Sequence, residues 1–212
     1  MEKLPLVALI SGRGSNLKAI IDAADPLVEI RAVISNRPQA KGLLYAQQAG
    51  IANEVLDHTL FKSRIDFEFA LQTRINYYQP KLLILAGFMR ILSPKFVAHY
   101  QSRFFNIHPS LLPAFRGLHT HKRVLKSGMK EHGASVHFVT EDLDAGPVII
   151  QARLPVLPND NEESLAARVL QEEHRIYPQA IHWFAQGRLQ LQGQRALLDG
   201  KPIILDKAIA GK

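Results

Sequence analysis

The sequence predicts an α/β fold, with a mostly parallel central sheet, helices on both faces and a C-terminal β hairpin. Two observations carry this. Short continuous apolar runs alternate with longer segments whose apolar residues recur at helical spacing. Turn residues mark the joints, while no repeat, low-complexity stretch or Pro/Gly/Ser-rich linker marks a boundary. The 212 residues therefore read as a single domain, 1–212, with no second domain set apart by composition.

Each element has its own local reason. Residues 6–10 are continuous, apolar and stopped by Ser11-Gly12, as a buried strand is. Residues 16–24 carry Leu17, Ile20 and Ile21 at helical spacing, and 30–34 form a second β run stopped by Ser35-Asn36-Arg37-Pro38. Residues 42–49 read as a short helix closed by Gly50. Residues 64–78 read as a helix with Ile65, Phe69 and Ile75 along its apolar side, and 82–85 as a fully apolar strand. Ser93-Pro94 opens the next helix, because proline's missing N–H costs nothing in the first turn. Strands follow at 104–108, 134–139 and 148–152. Asp160, with Glu163 three residues on, has the form of a capping box for a helix to about Tyr177. Pro178 should break or restart that helix near Trp183, and 188–205 reads as the hairpin around Asp199-Gly200.

Composition excludes several classes. Hydrophobic residues at 47% against 21% charged describe an ordinary globular chain rather than a disordered one. No apolar run approaches the ~20 residues of a membrane helix. The first run ends at Ser11-Gly12 and lacks the basic start and cleavage site of a signal peptide. With no cysteine, there is no disulfide, thiolate nucleophile or cysteine-ligated zinc, and a reducing cytoplasm is permitted. The net charge of +7 and a pI near 9.7 invite a nucleic-acid reading. Lys and Arg are nevertheless dispersed, the densest group being Lys122, Arg123, Lys126 and Lys130, and no nucleic-acid motif accompanies them. Such a surface serves equally to attract small polyanions such as sugar phosphates.

Ligands of parallel α/β sheets gather at the carboxyl ends of the strands, and the polar motifs fall there. Ser11-Gly12-Arg13-Gly14-Ser15-Asn16 joins the first strand to the first helix. Leu17 at the sixth position and the lack of an acidic residue after the second strand argue against a dinucleotide fingerprint, and no Gly-Lys-Ser/Thr makes it a P-loop. A phosphate gripped by Gly14, Ser15 and Asn16 remains, beside the equal reading of a plain βα turn capped by Ser15 or Asn16. Asn106 and His108, two apart in a strand, share a face at its carboxyl end, and Pro109 and Pro113 stiffen the chain beyond. The segment 140–147 is rich in acids and ends in a Gly-Pro turn, so a carboxylate such as Asp144 can reach a neighbouring strand end. Alone, a lone strand histidine and an acidic turn are more often structural.

These segments occur together and in order. Ser11-Gly12-x-Gly14-Ser15-Asn16, Ala86-Gly87-Phe88-Met89-Arg90-Ile91-Leu92, Asn106-x-His108-Pro109-Ser110-Leu111-Leu112-Pro113 and Asp142-x-Asp144-x-Gly146-Pro147 closely resemble the phosphoribosylglycinamide formyltransferases, folate-dependent enzymes of purine biosynthesis. The Asn-x-His-Pro segment is shared by folate formyltransferases generally; the glycine loop, the length and Gly117-Leu118-His119-Thr120-His121 favour the purine branch. The resemblance covers essentially the whole chain and implies a Rossmann-like formyltransferase fold. Its phosphate-binding half would be about 1–100 and its folate and catalytic half about 101–212. It further implies 10-formyltetrahydrofolate as co-substrate, no metal, and formyl transfer to the amine of 5-phosphoribosylglycinamide. Asn106, His108 and Asp144 would be catalytic: Asn106 and protonated His108 donate to the oxyanion of a tetrahedral intermediate, and Asp144 holds His108. Gly14, Ser15 and Asn16 would take the substrate phosphate and Glu173 its glycinamide end. The folate would meet Arg64, Met89, Arg90, Ile91, Leu92 and Asn106, with Thr140, Glu141, Asp142, Leu143 and Asp144 closing over the pterin. Met89, Ile91 and Leu92 read equally as core. The pattern departs at Leu170, where the family usually has glutamine one turn before Glu173, and at the variable Arg13 and Arg116.

Small-molecule substrates, no nucleic acid, no membrane, a cytoplasmic location and a monomer or homodimer complete the expectation. Formyltetrahydrofolate deformylase shares the catalytic motif but normally has an extra N-terminal domain, whereas here the first strand has begun by Leu6. Methionyl-tRNA formyltransferase would need a further C-terminal domain. A metal site at His119-x-His121 with His132 and His137 lacks a carboxylate at ligand spacing. A basic nucleotide-binding module stays open on charge alone.

Overall fold

A computed structural model describes residues 2–205, so residues 1 and 206–212 of the expected 1–212 domain lie outside it. The chain forms two compact units, Met1–Asn106 and Ile107–Lys212.

The first unit is built on parallel strands. In chain order it holds β1 (Leu4–Ile10), α1 (Ser15–Asp22), β2 (Val28–Ser35), α2 (Gly42–Gln48), β3 (Ala52–Val55), a 3₁₀ turn (His58–Leu60), α3 (Arg64–Tyr77), β4 (Leu82–Leu85), α4 (Pro94–His99) and the start of β5 (Phe104–His108). The strands lie in the order β3-β2-β1-β4-β5. The chain steps outward one way from β1 to β3, then returns to the other side of β1 for β4 and β5. The order therefore reverses between β1 and β4, and the loops leaving those two strands diverge over a shared crevice, the usual ligand position in such sheets. Central placement explains composition: residues 6–10 of β1 are fully buried between two parallel neighbours. Ser63 and Ser93 cap α3 and α4 by accepting the Asp66 and Phe96 N–H groups, so the Ser93-Pro94 reading holds.

One helix buries only Ile75 of its expected apolar side. The buried face of α3 is Phe67, Glu68, Leu71 and Ile75, whereas Ile65 and Phe69 are 78% and 73% exposed. Both pairs repeat at four residues, so spacing alone leaves the choice open. Aromatic packing makes it, since the rings of His58 and Phe61 stand edge-on to Phe67.

The second unit carries the end of β5, α5 (Thr120–Ser127), β6 (Glu131–Phe138), β7 (Val148–Pro155), α6 (Glu162–Ala185) and three short strands, β8 (Leu189–Gln192), β9 (Arg195–Leu198) and β10 (Lys201–Pro202). β6 and β7 run antiparallel, and β8 to β10 form a separate antiparallel sheet. The turn at Asp199-Gly200 lies where expected, but an earlier turn at Gly193-Gln194 makes three strands of the expected hairpin. The cap of α6 is Asn161, paired reciprocally with Ser164, not Asp160 with Glu163. Asp160 instead accepts the Leu157 N–H and pairs with Arg168. α6 also continues through Pro178, because Ile176 and Tyr177 before it and Ala180 and Ile181 after it bury one continuous face; that burial outweighs the local loss of a backbone bond. Among the described residues no helix is long and apolar enough to cross a membrane.

Gly42 packs closely beneath the glycine loop. A Cβ on Gly42 would fall 2.7 Å from Ile10 Cδ1 and 2.9 Å from Gly14 Cα. Gly42→Ala is expected to lower stability by about 1–3 kcal/mol, the usual cost of overpacking, read as a lower urea midpoint.

Candidate active site

The glycine loop leaves β1 with Gly14 at φ +75°, a left-handed conformation suited to glycine, and Gly14 is the N-cap residue of α1. A side chain there would strike Gly42 Cα at 2.4 Å. Ser15 and Asn16 thus occupy the first turn of α1, Asn16 buried and Ser15 half-buried. Across the strand-order reversal, β4 delivers Gly87 to Leu92. The two loops are stitched together by Ser11, whose N–H donates to the Gly87 carbonyl at 3.1 Å and whose Oγ accepts the Met89 N–H at 2.7 Å.

Within the second loop Met89 and Ile91 are 63% and 66% exposed, while Leu92 is buried. The core reading therefore holds for Leu92 alone of the three. Arg90 lies over the Phe67 ring, 5.7 Å from its centroid. Arg64, at the start of α3, donates from Nε to Glu68 at 2.9 Å. The nearly buried Glu68 also accepts the N–H and hydroxyl of Ser93. One carboxylate thus anchors both Arg64 and the end of the Met89–Leu92 loop. Motif reading does not reach Glu68; its signal is a charge at four-residue spacing between Arg64 and the buried stripe of α3.

Asn106 ends the first unit, level with Leu85 at the carboxyl end of β4, and His108 follows two residues later in β5. His108 is buried, with Nδ1 3.3 Å from Asp144 Oδ2 and Nε2 3.0 Å from the Phe115 carbonyl. Each ring nitrogen faces an oxygen acceptor, and only the doubly protonated ring can donate to both. Asp144 is buried as well. Its Oδ2 accepts the Gly117 N–H at 2.9 Å, and its Oδ1 lies 3.7 Å from His137 Nε2. Its backbone is left-handed, φ +49°, which turns the side chain inward while Glu141, Asp142 and Leu143 stay exposed and Thr140 is half-buried.

The Pro-Ser-Leu-Leu-Pro turn after His108 is fastened to β6 and β7. Ser135 Oγ donates to the Ser110 carbonyl at 2.6 Å and accepts the Leu112 N–H at 3.0 Å. Gln151, opposite Ser135 in the ladder, donates to the Leu112 carbonyl at 2.8 Å. Ser135, His137 and Gln151 support the site without belonging to a motif. The one sequence signal is that Ser135 and His137 are two apart in an apolar strand. Glu173 lies on the buried face of α6 between Val169 and Ile176, and Leu170, one turn earlier, is half-buried.

Of the histidines considered for a metal, His121 and His132 meet each other, and His137 faces Asp144. His121 Nδ1 and His132 Nε2 are 3.0 Å apart, one donating to the other, and among the described residues no group of three or more His, Asp or Glu is placed to hold a metal ion. Burial, then the His121 and His108 charges, pushes His132 down to about 4, and burial also lowers His121 and His137. A histidine depressed on folding adds stability above its unfolded value near 6.5, and that stability disappears as pH falls toward about 4. The urea midpoint should therefore drop between pH ~6.5 and ~4, and His132→Gln should flatten that slope.

Comparison with known proteins identifies the family. The formyl transferase family profile matches residues 4–181. The phosphoribosylglycinamide formyltransferase of Escherichia coli K12 is 53% identical over 199 residues, 92% of this chain and 94% of that protein. Among solved structures, the phosphoribosylglycinamide formyltransferase of Coxiella burnetii superposes with a TM-score of 0.93 at 56% identity, covering 96% and 97% of the two chains. Glycinamide ribonucleotide transformylase 1 of Symbiobacterium toebii gives 0.89 at 43% identity, covering 92% and 94%. The chain belongs to the formyl transferase family, in its phosphoribosylglycinamide formyltransferase branch.

Proposed function

We propose that this chain moves the formyl group of 10-formyltetrahydrofolate to the amine of 5-phosphoribosylglycinamide, and that Asn106, His108 and Asp144 carry the chemistry. The observation behind the roles is the buried His108–Asp144 pair, placed two residues beyond Asn106 at the carboxyl end of a strand.

The amine nitrogen attacks the formyl carbon, a C–N bond forms, and the carbonyl oxygen takes the negative charge. Asn106 Nδ2 and the His108 imidazolium donate to that oxygen. His108 Nε2 lies 3.0 Å from the Phe115 carbonyl, an acceptor that keeps the donor ordered until a stronger one arrives. Asp144 fixes the ring through Nδ1, and its own position is set by Gly117 and His137. Collapse breaks the bond to the folate nitrogen; the amine loses a proton and the folate nitrogen gains one, passed by His108 or a water.

Gly14, Ser15 and Asn16 take the phosphate through the N-terminal turn of α1, and Glu173 takes the glycinamide end. Arg64 and Arg90 meet the folate carboxylates, exposed Met89 and Ile91 offer it an apolar edge, and Leu92 anchors that edge from beneath. Thr140, Glu141, Asp142 and Leu143 close over the pterin, with Asp144 as their inner end. The whole chain acts as one formyltransferase domain on small-molecule substrates, in the cytoplasm, as a monomer or homodimer, with no nucleic-acid or membrane partner and no metal.

Two measurements test this. Release of tetrahydrofolate from 10-formyltetrahydrofolate should require the ribonucleotide; turnover without it identifies a deformylase instead, and no turnover overturns both. His108→Ala and Asp144→Ala should each lose about 10²–10³-fold in kcat while keeping a native far-UV spectrum. Near-normal kcat in either variant removes that residue from the mechanism.

A further inference from the structure

We infer that His58 is a positioning residue for the folate-binding loop, acting through Asn36, Ser11 and Phe67 on two consecutive residues, Met89 and Arg90. The inference rests on the placement of folate at Met89–Leu92 proposed above.

His58 stands in the 3₁₀ turn between β3 and α3 and matches no motif. Its side chain is 20% exposed and sends contacts in two directions. Through Nδ1 it meets Asn36, at 2.9 Å from the backbone carbonyl and 3.2 Å from Nδ2. Asn36 is fully buried at the end of β2, and its Oδ1 accepts the Ser11 hydroxyl. That hydroxyl in turn accepts the Met89 N–H at 2.7 Å. The donors run from Met89 N–H to Ser11 Oγ and from Ser11 O–H to Asn36 Oδ1, while the His58 Nδ1–H donates to the Asn36 backbone carbonyl. The imidazole thus fixes the backbone of Asn36, and with it the side chain whose Oδ1 takes the Ser11 hydroxyl.

The second direction runs through the ring. The His58 imidazole packs edge-on against Phe67, centroids 6.2 Å apart at 73°. Phe67 carries the Arg90 guanidinium over its ring. One half-buried side chain thus stands behind both the backbone of Met89 and the cation of Arg90, next to each other in the loop. Asp57, whose carboxylate lies 3.9 Å from Nδ1, is engaged with the N–H and hydroxyl of Thr59.

The two arms can be cut separately. His58→Phe keeps a ring against Phe67 and removes Nδ1, whereas His58→Asn offers an amide N–H near the place of Nδ1–H and removes the ring. The readouts are exchange of the Met89 amide proton by NMR and steady-state kinetics with 10-formyltetrahydrofolate, with Arg90→Ala alongside. In His58→Phe the Met89 amide should exchange faster, and KM for 10-formyltetrahydrofolate should rise about 3- to 10-fold, the effect of one lost hydrogen bond, with kcat within about twofold. His58→Asn should restore the slow exchange. His58→Leu, with the same expectation, serves if His58→Phe does not fold. Unchanged Met89 exchange in a folded variant overturns the inference. Faster exchange with an unchanged KM, while Arg90→Ala raises it, also overturns the role and leaves the folate placement standing. If Arg90→Ala leaves KM unchanged too, the folate placement has failed and the inference falls with it.

Discussion

A buried carboxylate costs several kcal/mol unless its charge is met by well-placed donors, and Asp144 imposes that condition on the second unit. Its oxygens draw in the Gly117 N–H and lie against His108 and His137. Those partners come from the turn after β5, from β5 itself and from β6. The ends of β5 and β6, the 140–146 loop and the turn before α5 therefore have one shared requirement. The backbone is shaped to it: Asp144 is left-handed, and Gly146 passes so close to the Phe138 carbonyl that a Cβ would lie 1.9 Å from it. A side chain that must point inward from an exposed acidic loop needs both features. His108 is held by the same arrangement, so one buried charge orders both the loop and the ring.

The first unit obeys a different constraint, close backbone approach. Gly14 and Gly42 pack without side chains between them, which lets the loop after β1 lie flat over the start of α2. The reversal of strand order then brings the loop after β4 alongside, and Ser11 ties the two together through one N–H and one hydroxyl. Glu68 performs a comparable task lower down, joining Arg64 to Ser93. Buried polar groups here connect elements rather than merely satisfying themselves, and fully bonded networks of that kind hold their members in one arrangement.

The parts of the site that could be read in advance are those whose chemistry is local. Ser11 to Asn16, Asn106 to Pro113 and Asp142 to Pro147 each place polar side chains and turn residues within a few positions, so spacing carries the meaning. Ser135, Gln151 and Glu68 escape such a reading because their partners are remote: Ser135 meets Ser110 and Leu112, and Glu68 meets Ser93. The buried side of α3 is open to spacing alone for the same reason, since Ile65–Phe69 and Phe67–Leu71 repeat equally. Asn161 displaced Asp160 as the α6 cap by a single position, within the range where cap chemistry allows several residues.

By itself the sequence determined the alternation of strands and helices, the glycine loop, the Asn106–His108 face and the family, because apolar periodicity and motif spacing are properties of the chain alone. Tertiary structure decided which stripe of α3 is buried, that α6 passes through Pro178, that the tail makes three strands, and that Asp144 faces His108. Each of those choices compares burial energies among locally equivalent conformations, and burial exists only once distant segments have met.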